Sequence, residues 1–139
     1  MDESCNIPEN LLMPIITIDC PNDVDTEDLA FTKKECFYNA YQIAKKYPLS
    51  VKVIEGIIIV TDDNNCRKAI PHAWNQKGCY YFDITKEKIW RHSCDNQECK
   101  KVDYYFVKSH SYDELQSLKE LEFCSWTTIA ADSINNKHK

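Results

Sequence analysis

The stretch that most restricts the possible folds of this chain is Val51–Thr61. Val51 and Val53 lead there into a nearly continuous apolar run, which is typical of a β-strand. Gly56 interrupts the run and predicts a bulge or a close approach of another backbone segment. The longest aliphatic stretch, residues 57–60, is far too short to cross a membrane. The segment therefore predicts a strand of a folded sheet.

Further strands are predicted on both sides of turn-forming residues. Residues 69–74 and 79–85 have the pattern of two strands, and residues 75–78 (Asn-Gln-Lys-Gly) have the composition of the turn that joins them. Residues 102–108 alternate between apolar and polar side chains, as a strand does. A short strand is also expected at residues 89–92, followed by a polar loop.

Two helices are expected, one before and one after these strands in the sequence. Residues 33–46 have helical periodicity, and Thr32 with Glu35 three positions later forms a capping box at their start. Ser111 and Glu114 repeat this signature before a second helix. The apolar stripe of the second helix comes from three leucines, Leu115, Leu118 and Leu121. This order predicts an α+β domain in which helices pack against one antiparallel sheet.

Length and composition indicate one domain over residues 1–139. The chain is 43% hydrophobic and 28% charged, which is enough to bury a core and argues against disorder. Residues 1–27 form a lead-in, in which residues 11–18 are expected either to hold one short edge strand or to pack over the core. Residues 132–139 are polar and are expected to be frayed.

The charge and the cysteine content limit the partners and the compartment. The net charge is −5 with no basic cluster, so we expect neither nucleic-acid nor membrane binding. Residues 1–5 are acidic and polar, unlike a signal peptide. We therefore expect a cytoplasmic protein, or one delivered to a host cell without a cleavable signal peptide. The eight cysteines would suggest four disulfides in an exported chain, but a reducing compartment favours mostly free thiols.

Cys36 is a candidate nucleophile because of its predicted position. It lies close to the first turn of the first helix, where unpaired N–H groups and the helix dipole favour a thiolate. The alternative is that Cys36 is a small core residue, as free cysteines often are.

His72 and Asp83 are candidate partners of that thiol. Asp83 is a lone carboxylate among large apolar residues, so it needs a partner. The predicted hairpin sets Trp74 opposite Cys79 and His72 opposite Tyr81, which makes Asp83 the diagonal neighbour of His72. Such neighbours lie about 7–8 Å apart, within reach of a histidine–carboxylate contact. Asp83 is thus suited to orient the His72 ring.

Four short motifs resemble one known family. They are Cys36-Phe37-Tyr38-Asn39-Ala40, Glu55-Gly56, His72-Ala73-Trp74 and Asp83-Ile84-Thr85. In this order they resemble the papain-like, transglutaminase-like cysteine hydrolases, and more narrowly small bacterial and phage proteins of that type. The resemblance covers about residues 32–122, with Ile84 where that group usually has proline.

The resemblance implies a papain-like core and a catalytic triad. Cys36 would be the nucleophile, His72 the base and Asp83 the orienting residue, acting on a protein or peptide amide without a cofactor. Backbone N–H groups, including that of Cys36, would hold the oxyanion. Peptide hydrolysis, glutamine deamidation and transamidation remain open. Glu55 and Gly56 are candidates to line the substrate cleft, and Trp74 is either a substrate-binding or a core residue.

Two alternatives to an enzyme remain open. One is a zinc-stabilised module, for which the candidate ligands are Cys66, Cys79, His92, Cys94 and Cys99. Cys94 and Cys99 would instead form a disulfide if the chain were exported. The other is a papain-like interaction domain that has lost activity.

Overall fold

The computed structural model describes residues 12–90, 101–116 and 122–137. Helices pack there on a six-stranded, mainly antiparallel sheet. The strands are β1 (Met13–Ile15), β2 (Thr17–Ile18), β3 (Val51–Thr61), β4 (Arg67–Lys77), β5 (Tyr80–Phe82) and β6 (Lys101–His110). The helical elements are α1 (Cys36–Lys46), a π-helical turn (Lys86–Trp90), α2 (Tyr112–Gln116) and α3 (Ser125–Lys137). The predicted α+β class is confirmed.

Strand β3 forms the middle of the sheet and occupies the predicted range. It pairs antiparallel with β4 along its whole length and with β6 on its other side. Ile57, Ile58 and Ile59 are all fully buried because both faces of β3 are covered. The irregularity expected at Gly56 is present, since the register with β6 shifts between Glu55 and Gly56.

The sheet curls until its two edges reach the same stretch of chain. Its strand order is β1-β6-β3-β4-β5-β2, so β1 and β2 lie at opposite ends of that order. In sequence they are separated only by Ile16. β1 pairs antiparallel with β6, whereas β2 pairs parallel with β5. The predicted edge strand is therefore two short strands that cover both edges of the sheet.

Alternation along the strands divides the core between two faces. On the face below α1, Val53 and Ala73 pack against Phe37, Ala40, Ala44 and Leu115. On the opposite face, Ile54 and Ile58 pack with Trp74 and Tyr104. His72 precedes Trp74 by two positions in β4, so it shares the face of Trp74.

Helix α1 begins at Cys36, later than the sequence predicted. Glu35 occupies the N-cap position, and no side chain makes a capping hydrogen bond there. The reason is Lys34, whose φ of 67° is left-handed and incompatible with an α-helix. The capping box predicted at Thr32 and Glu35 is therefore wrong, and Cys36 is the first residue of the helix.

The hairpin that follows β3 has a different register from the predicted one. β4 continues to Lys77, and Asn75 lies opposite Phe82. Gly78 has a φ of 61°, which suits the start of a tight turn. The turn predicted at 75–78 is wrong. The pairings that depended on it, Trp74 with Cys79 and His72 with Tyr81, are wrong as well.

The chain becomes helical directly after β5. Residues 84–85 are helical and lead into the π-helical turn, although strands were predicted over 79–85 and 89–92. The carboxylate of Asp83 accepts a hydrogen bond from the Lys86 N–H at 3.2 Å, in the manner of a helix N-cap. This capping favours a helix over a continued strand. Residues 91–92 and the predicted loop at 93–98 lie outside the described residues.

The capping box predicted before the second helix is confirmed. The Glu114 N–H donates to Ser111 Oγ at 3.2 Å, and the Ser111 N–H donates to Glu114 Oε1 at 3.0 Å. Leu115 is buried as expected, whereas Leu118 and Leu121 lie outside the described residues. Across the described ranges, every helix is too short or too polar to cross a bilayer.

Residues 132–137 of the tail predicted to fray are instead part of α3, and residues 138–139 lie outside the described residues. Ile134 is fully buried against the sheet, which anchors the helix. The Asn135 side chain accepts a hydrogen bond from the Ala69 N–H at 2.7 Å and donates to the Ala69 carbonyl at 2.9 Å. The prediction failed because these two contacts are made with β4, far away in the sequence.

We expect Asn135→Ala to destabilise the protein by about 1–3 kcal/mol, because it removes the hydrogen bonds that the Asn135 side chain makes with the N–H and the carbonyl of Ala69. Asn136→Ala is the matched control, since Asn136 is exposed and is expected to change stability by less than about 0.5 kcal/mol. Urea unfolding of the two variants measures the difference. Equal stability of both variants would contradict a role for Asn135 in holding β4.

Candidate active site

Cys36 occupies the N-terminus of α1 and is half-buried. The hydrogen bond from the Asn39 N–H to the Glu35 carbonyl, 2.8 Å long, is the first of the helix. The Cys36 N–H therefore precedes the intrahelical bonds and points along the positive end of the helix dipole. Cys36 lies closer to this dipole end than the sequence predicted.

His72 joins Cys36 to Asp83. It lies on β4 opposite Gly56 of β3, and only 2% of its surface is exposed. His72 Nε2 lies 2.8 Å from Asp83 Oδ2. Cys36 lies close enough to the His72 ring to raise its pKa. The structure thus brings together the three residues that the sequence singled out.

Asp83 reaches His72 by a route that the sequence did not predict. It lies beyond the end of β5 rather than diagonally across a strand pair. Its Oδ1 caps the helical segment through the Lys86 N–H, and Oδ2 binds His72. The capping bond fixes the rotation of the carboxylate, so Oδ2 is held towards the imidazole.

Tyr104 is a fourth member of the site, and the sequence interpretation missed it. Its hydroxyl donates a hydrogen bond of 2.6 Å to Asp83 Oδ2, the same oxygen that His72 binds. The alternating pattern of β6 indicated which residues share a face. It did not indicate that β6 lies two strands away from β4, which is what brings Tyr104 to Asp83.

Aromatic rings shield the imidazole from water. The Trp74 indole stacks on His72 with ring centroids 6.2 Å apart, and the Tyr104 ring meets Trp74 edge-on at 5.2 Å. Trp74 is fully buried, so it forms a wall of the site and does not present an open platform to a substrate. Of the two interpretations of Trp74, the burial supports the core residue.

The charges of the site stabilise one another. Burial alone lowers the pKa of His72, but the Asp83 carboxylate and the Cys36 contact outweigh it and raise the pKa to about 10. Burial works to raise the pKa of Asp83. The charge of His72 and the hydrogen bonds from His72, Tyr104 and Lys86 prevail and hold it below its ordinary range. An imidazolium–carboxylate pair at neutral pH follows.

This pair makes stability depend on pH in a defined direction. The raised pKa of His72 adds stability that is complete below its unfolded value of about 6.5 and is lost as the pH rises towards about 10. The lowered pKa of Asp83 adds stability that is complete above about pH 3.9 and is lost in stronger acid.

We expect urea unfolding to show that the stability of the wild-type protein declines from pH 6.5 to 9.5, and that this decline is flatter in Asp83→Asn. Asp63→Asn, at an exposed turn, should keep the wild-type slope.

Asn39 connects the loop before Cys36 to the segment after Asp83. Its side chain accepts from the Thr32 N–H and donates to the Thr32 carbonyl, both at 2.9 Å. It also donates to Thr85 Oγ1 at 3.0 Å. Asn39 is fully buried, so these bonds replace its contacts with water. Asn39 therefore has a structural role and holds both halves of the site in one position.

Glu55 and Gly56 lie beneath the surface instead of lining an open cleft. Glu55 is fully buried and accepts hydrogen bonds from His110 Nε2 and Thr127 Oγ1, each at 2.7 Å, and from the Cys124 N–H at 3.1 Å. Burial works to raise the pKa of Glu55, but these bonds hold it below its ordinary range. Gly56 faces Trp74 and leaves room for its ring. The Glu55 carboxylate is therefore not exposed to contact a substrate.

The thiols and candidate metal ligands are distributed as follows in the described ranges. Cys20, Cys36, Cys66, Cys79 and Cys124 are unpaired, which agrees with the expectation of free thiols for these five. Within those ranges, no three histidine, cysteine or acidic residues gather in a way that would hold a metal ion. The other proposed zinc ligands, His92, Cys94 and Cys99, lie outside the described residues.

Comparison of the chain with models of known protein families, with curated proteins and with solved structures finds no match. Function must therefore be inferred from the chemistry of Cys36, His72 and Asp83.

Proposed function

We propose that this protein is a cysteine enzyme that transfers the acyl group of an amide. Cys36 is the nucleophile, His72 the base and acid, and Asp83 the residue that orients His72. The observation that carries the proposal is the buried 2.8 Å His72–Asp83 hydrogen bond, with Cys36 on the same imidazole at a helix N-terminus. A thiol, an imidazole and a carboxylate in this order are the groups that thiol acyl transfer requires.

The proposed fold type is papain-like. A nucleophile at the start of a helix, packed on a mainly antiparallel sheet that carries the histidine, supports that assignment. The chain order of Cys36, His72 and Asp83 supports it too. So do the hydrogen bonds by which Asn39 joins the two halves of the site.

The proposed reaction begins when the Cys36 thiolate attacks the amide carbon and forms a carbon–sulfur bond. The electron pair of the carbonyl moves to oxygen, and N–H groups at the start of α1, including that of Cys36, stabilise the resulting oxyanion. The carbon–nitrogen bond then breaks as the His72 imidazolium donates its proton to the departing amine. His72 next takes a proton from water or from a second amine, which attacks the thioester and releases Cys36.

The proposed substrate is a protein or peptide amide. A peptide bond gives hydrolysis, a glutamine side chain gives deamidation, and an amine acceptor gives transamidation. The net charge of −5 offers no attraction to nucleic acid or to an anionic membrane. We further propose that the enzyme works in a reducing compartment, the cytoplasm of its own cell or of a host cell, where the thiol stays reduced.

The test is a set of three assays on one unstructured protein substrate such as casein. Cleavage is followed by mass spectrometry, deamidation by ammonia release, and transamidation by incorporation of a fluorescent primary amine. We expect one of the three activities in wild type and in Cys66→Ala, a control at an exposed thiol. We expect none in Cys36→Ala, and a loss of about 100-fold or more in Asp83→Asn.

Activity that persists in Cys36→Ala would overturn the proposal. Absence of all three activities, together with ordinary reactivity of Cys36 towards alkylating agents, would leave the interaction domain as the function of this fold.

A further inference from the structure

Tyr104 makes a contact that a triad does not require. Its hydroxyl donates to Asp83 Oδ2 at 2.6 Å, and the same oxygen faces His72 Nε2 at 2.8 Å. Asp83 Oδ1 accepts from the Lys86 N–H at 3.2 Å. The carboxylate therefore has three donors around it, and two of them share one oxygen. Only 4% of the Tyr104 surface and 4% of the Asp83 surface are exposed.

We propose that Tyr104 is a positioning residue that fixes the Asp83 carboxylate and limits how tightly this carboxylate holds the proton of His72. This inference rests on the proposed function, because a limit on that proton matters only if His72 must give it to a leaving group. It assigns to a residue of β6 a role that neither the triad nor the sequence motifs include.

The physical basis is competition for the charge on one oxygen. A short O–H···O⁻ bond draws electron density from the acceptor, so the acceptor attracts a neighbouring imidazolium less strongly. Without the hydroxyl, Oδ2 would place its full charge on His72, and the imidazolium would keep its proton to higher pH. Burial and the Asp83 charge raise the pKa of the Tyr104 hydroxyl, so Tyr104 remains a neutral donor.

The Tyr104 ring is held in place on three sides. Its strand pairs with β3, where Tyr104 lies opposite Ile58. Trp74 packs edge-on against the ring at 5.2 Å, and Lys86 Nζ lies 5.8 Å from the ring centroid. The hydroxyl thus approaches Asp83 from β6, while His72 approaches from β4. Two fixed donors on separate strands leave the carboxylate little freedom to rotate.

The experiment compares Tyr104→Phe with Tyr105→Phe in the whole protein. Tyr105 is the matched control because its ring packs on the other face of the sheet, in the core cluster beside Ile57 and Ile59. The titration of His72 is followed by NMR with ¹³C-labelled imidazole rings, and Cys36 alkylation is measured at pH 6. We expect the His72 titration to move upward by about 0.5 pH units in Tyr104→Phe and to stay at the wild-type value in Tyr105→Phe.

The alkylation data separate this inference from the proposed function. In Tyr104→Phe, Cys36 should alkylate at pH 6 at least as fast as in wild type, because an imidazolium that holds its proton more tightly still supports the thiolate. Amide turnover should nevertheless fall about 10-fold, because the proton leaves His72 less readily. An unchanged His72 titration would overturn the role of Tyr104 alone. Slow alkylation of Cys36 in wild type would instead overturn the proposed function.

A second variant covers the case in which Tyr104→Phe does not fold. Replacing the Tyr104 side chain with 3,5-difluorotyrosine keeps the hydroxyl and makes it a stronger donor. The His72 titration should then move downward, opposite to its direction in Tyr104→Phe. A shift upward, or no shift, would show that the Tyr104 hydroxyl does not act on His72 through Asp83.

Discussion

At pH 6, Cys36 is expected to react with iodoacetamide roughly 10-fold faster than Cys66. An ordinary thiol, with a pKa of about 8.5, is only about 0.3% ionised at this pH. Cationic neighbours and helix N-termini favour the thiolate of reactive cysteines in general, although a less basic thiolate is also a weaker nucleophile. Cys66 is a suitable internal reference because it is exposed and lies in the turn between β3 and β4. Mass spectrometry of peptides after timed alkylation gives both rates from one sample.

Replacement of His72 should remove most of this advantage. His72→Gln is preferred to His72→Ala because the amide still offers Asp83 a hydrogen bond and leaves a smaller cavity. We expect the Cys36 rate at pH 6 to fall to within about threefold of the Cys66 rate, since the helix dipole alone is worth less than about 1 kcal/mol. Circular dichroism must show that the variant is folded. Fast labelling of Cys36 in folded His72→Gln would exclude His72 as its activating partner.

Gly56→Ala is expected to destabilise the protein by about 3 kcal/mol or more. A Cβ at this position would meet the carbonyl oxygen of Tyr105 and would lie 2.5 Å from Cη2 of Trp74. The backbone of β6 cannot yield without breaking its pairing with β3, and the indole is fully buried. Urea or thermal unfolding measures the loss. Because Trp74 stacks on His72, the alkylation rate of Cys36 should fall in whatever fraction remains folded.

Gly78→Ala is the matched control for this prediction. Gly78 has a φ of 61°, and nothing lies within 4 Å of a Cβ built there. Its replacement should therefore cost only the strain of a left-handed residue, about 1 kcal/mol, and should leave Cys36 labelling unchanged. If the two alanine variants lose the same stability, the close approach of β6 and Trp74 to Gly56 is not what this glycine provides.

The two histidines that bind a carboxylate, His72 and His110, lie on opposite faces of the sheet. His72, which binds Asp83, lies on the face of Trp74, and His110, which binds Glu55, lies on the face covered by the helices. Adjacent residues of one strand explain this arrangement, because Glu55 and Gly56 point to opposite sides of β3. Glu55 thus anchors α3 through Thr127, while Gly56 makes room for the wall of the candidate site.

The local sequence was sufficient to predict the class of fold and to single out Cys36, His72 and Asp83 as candidates. Three features depend only on neighbouring residues and can therefore be predicted from the sequence. They are the Val51–Thr61 strand, the bulge at Gly56 and the Ser111 capping box. Residue chemistry was enough to single out Asp83, because a lone carboxylate among apolar residues must be neutralised when it is buried.

Tertiary structure decided the geometry of the site. The predicted hairpin register was wrong, yet the His72–Asp83 contact exists because Asp83 caps the helical segment beyond β5. Tyr104 reaches Asp83 only because β3 lies between β6 and β4, and Asn135 stabilises α3 only because Ala69 offers it both backbone groups. The last two contacts join residues that are 21 and 66 positions apart in sequence. Their partners are set by strand order and by the burial of whole faces, which no local pattern of side chains contains.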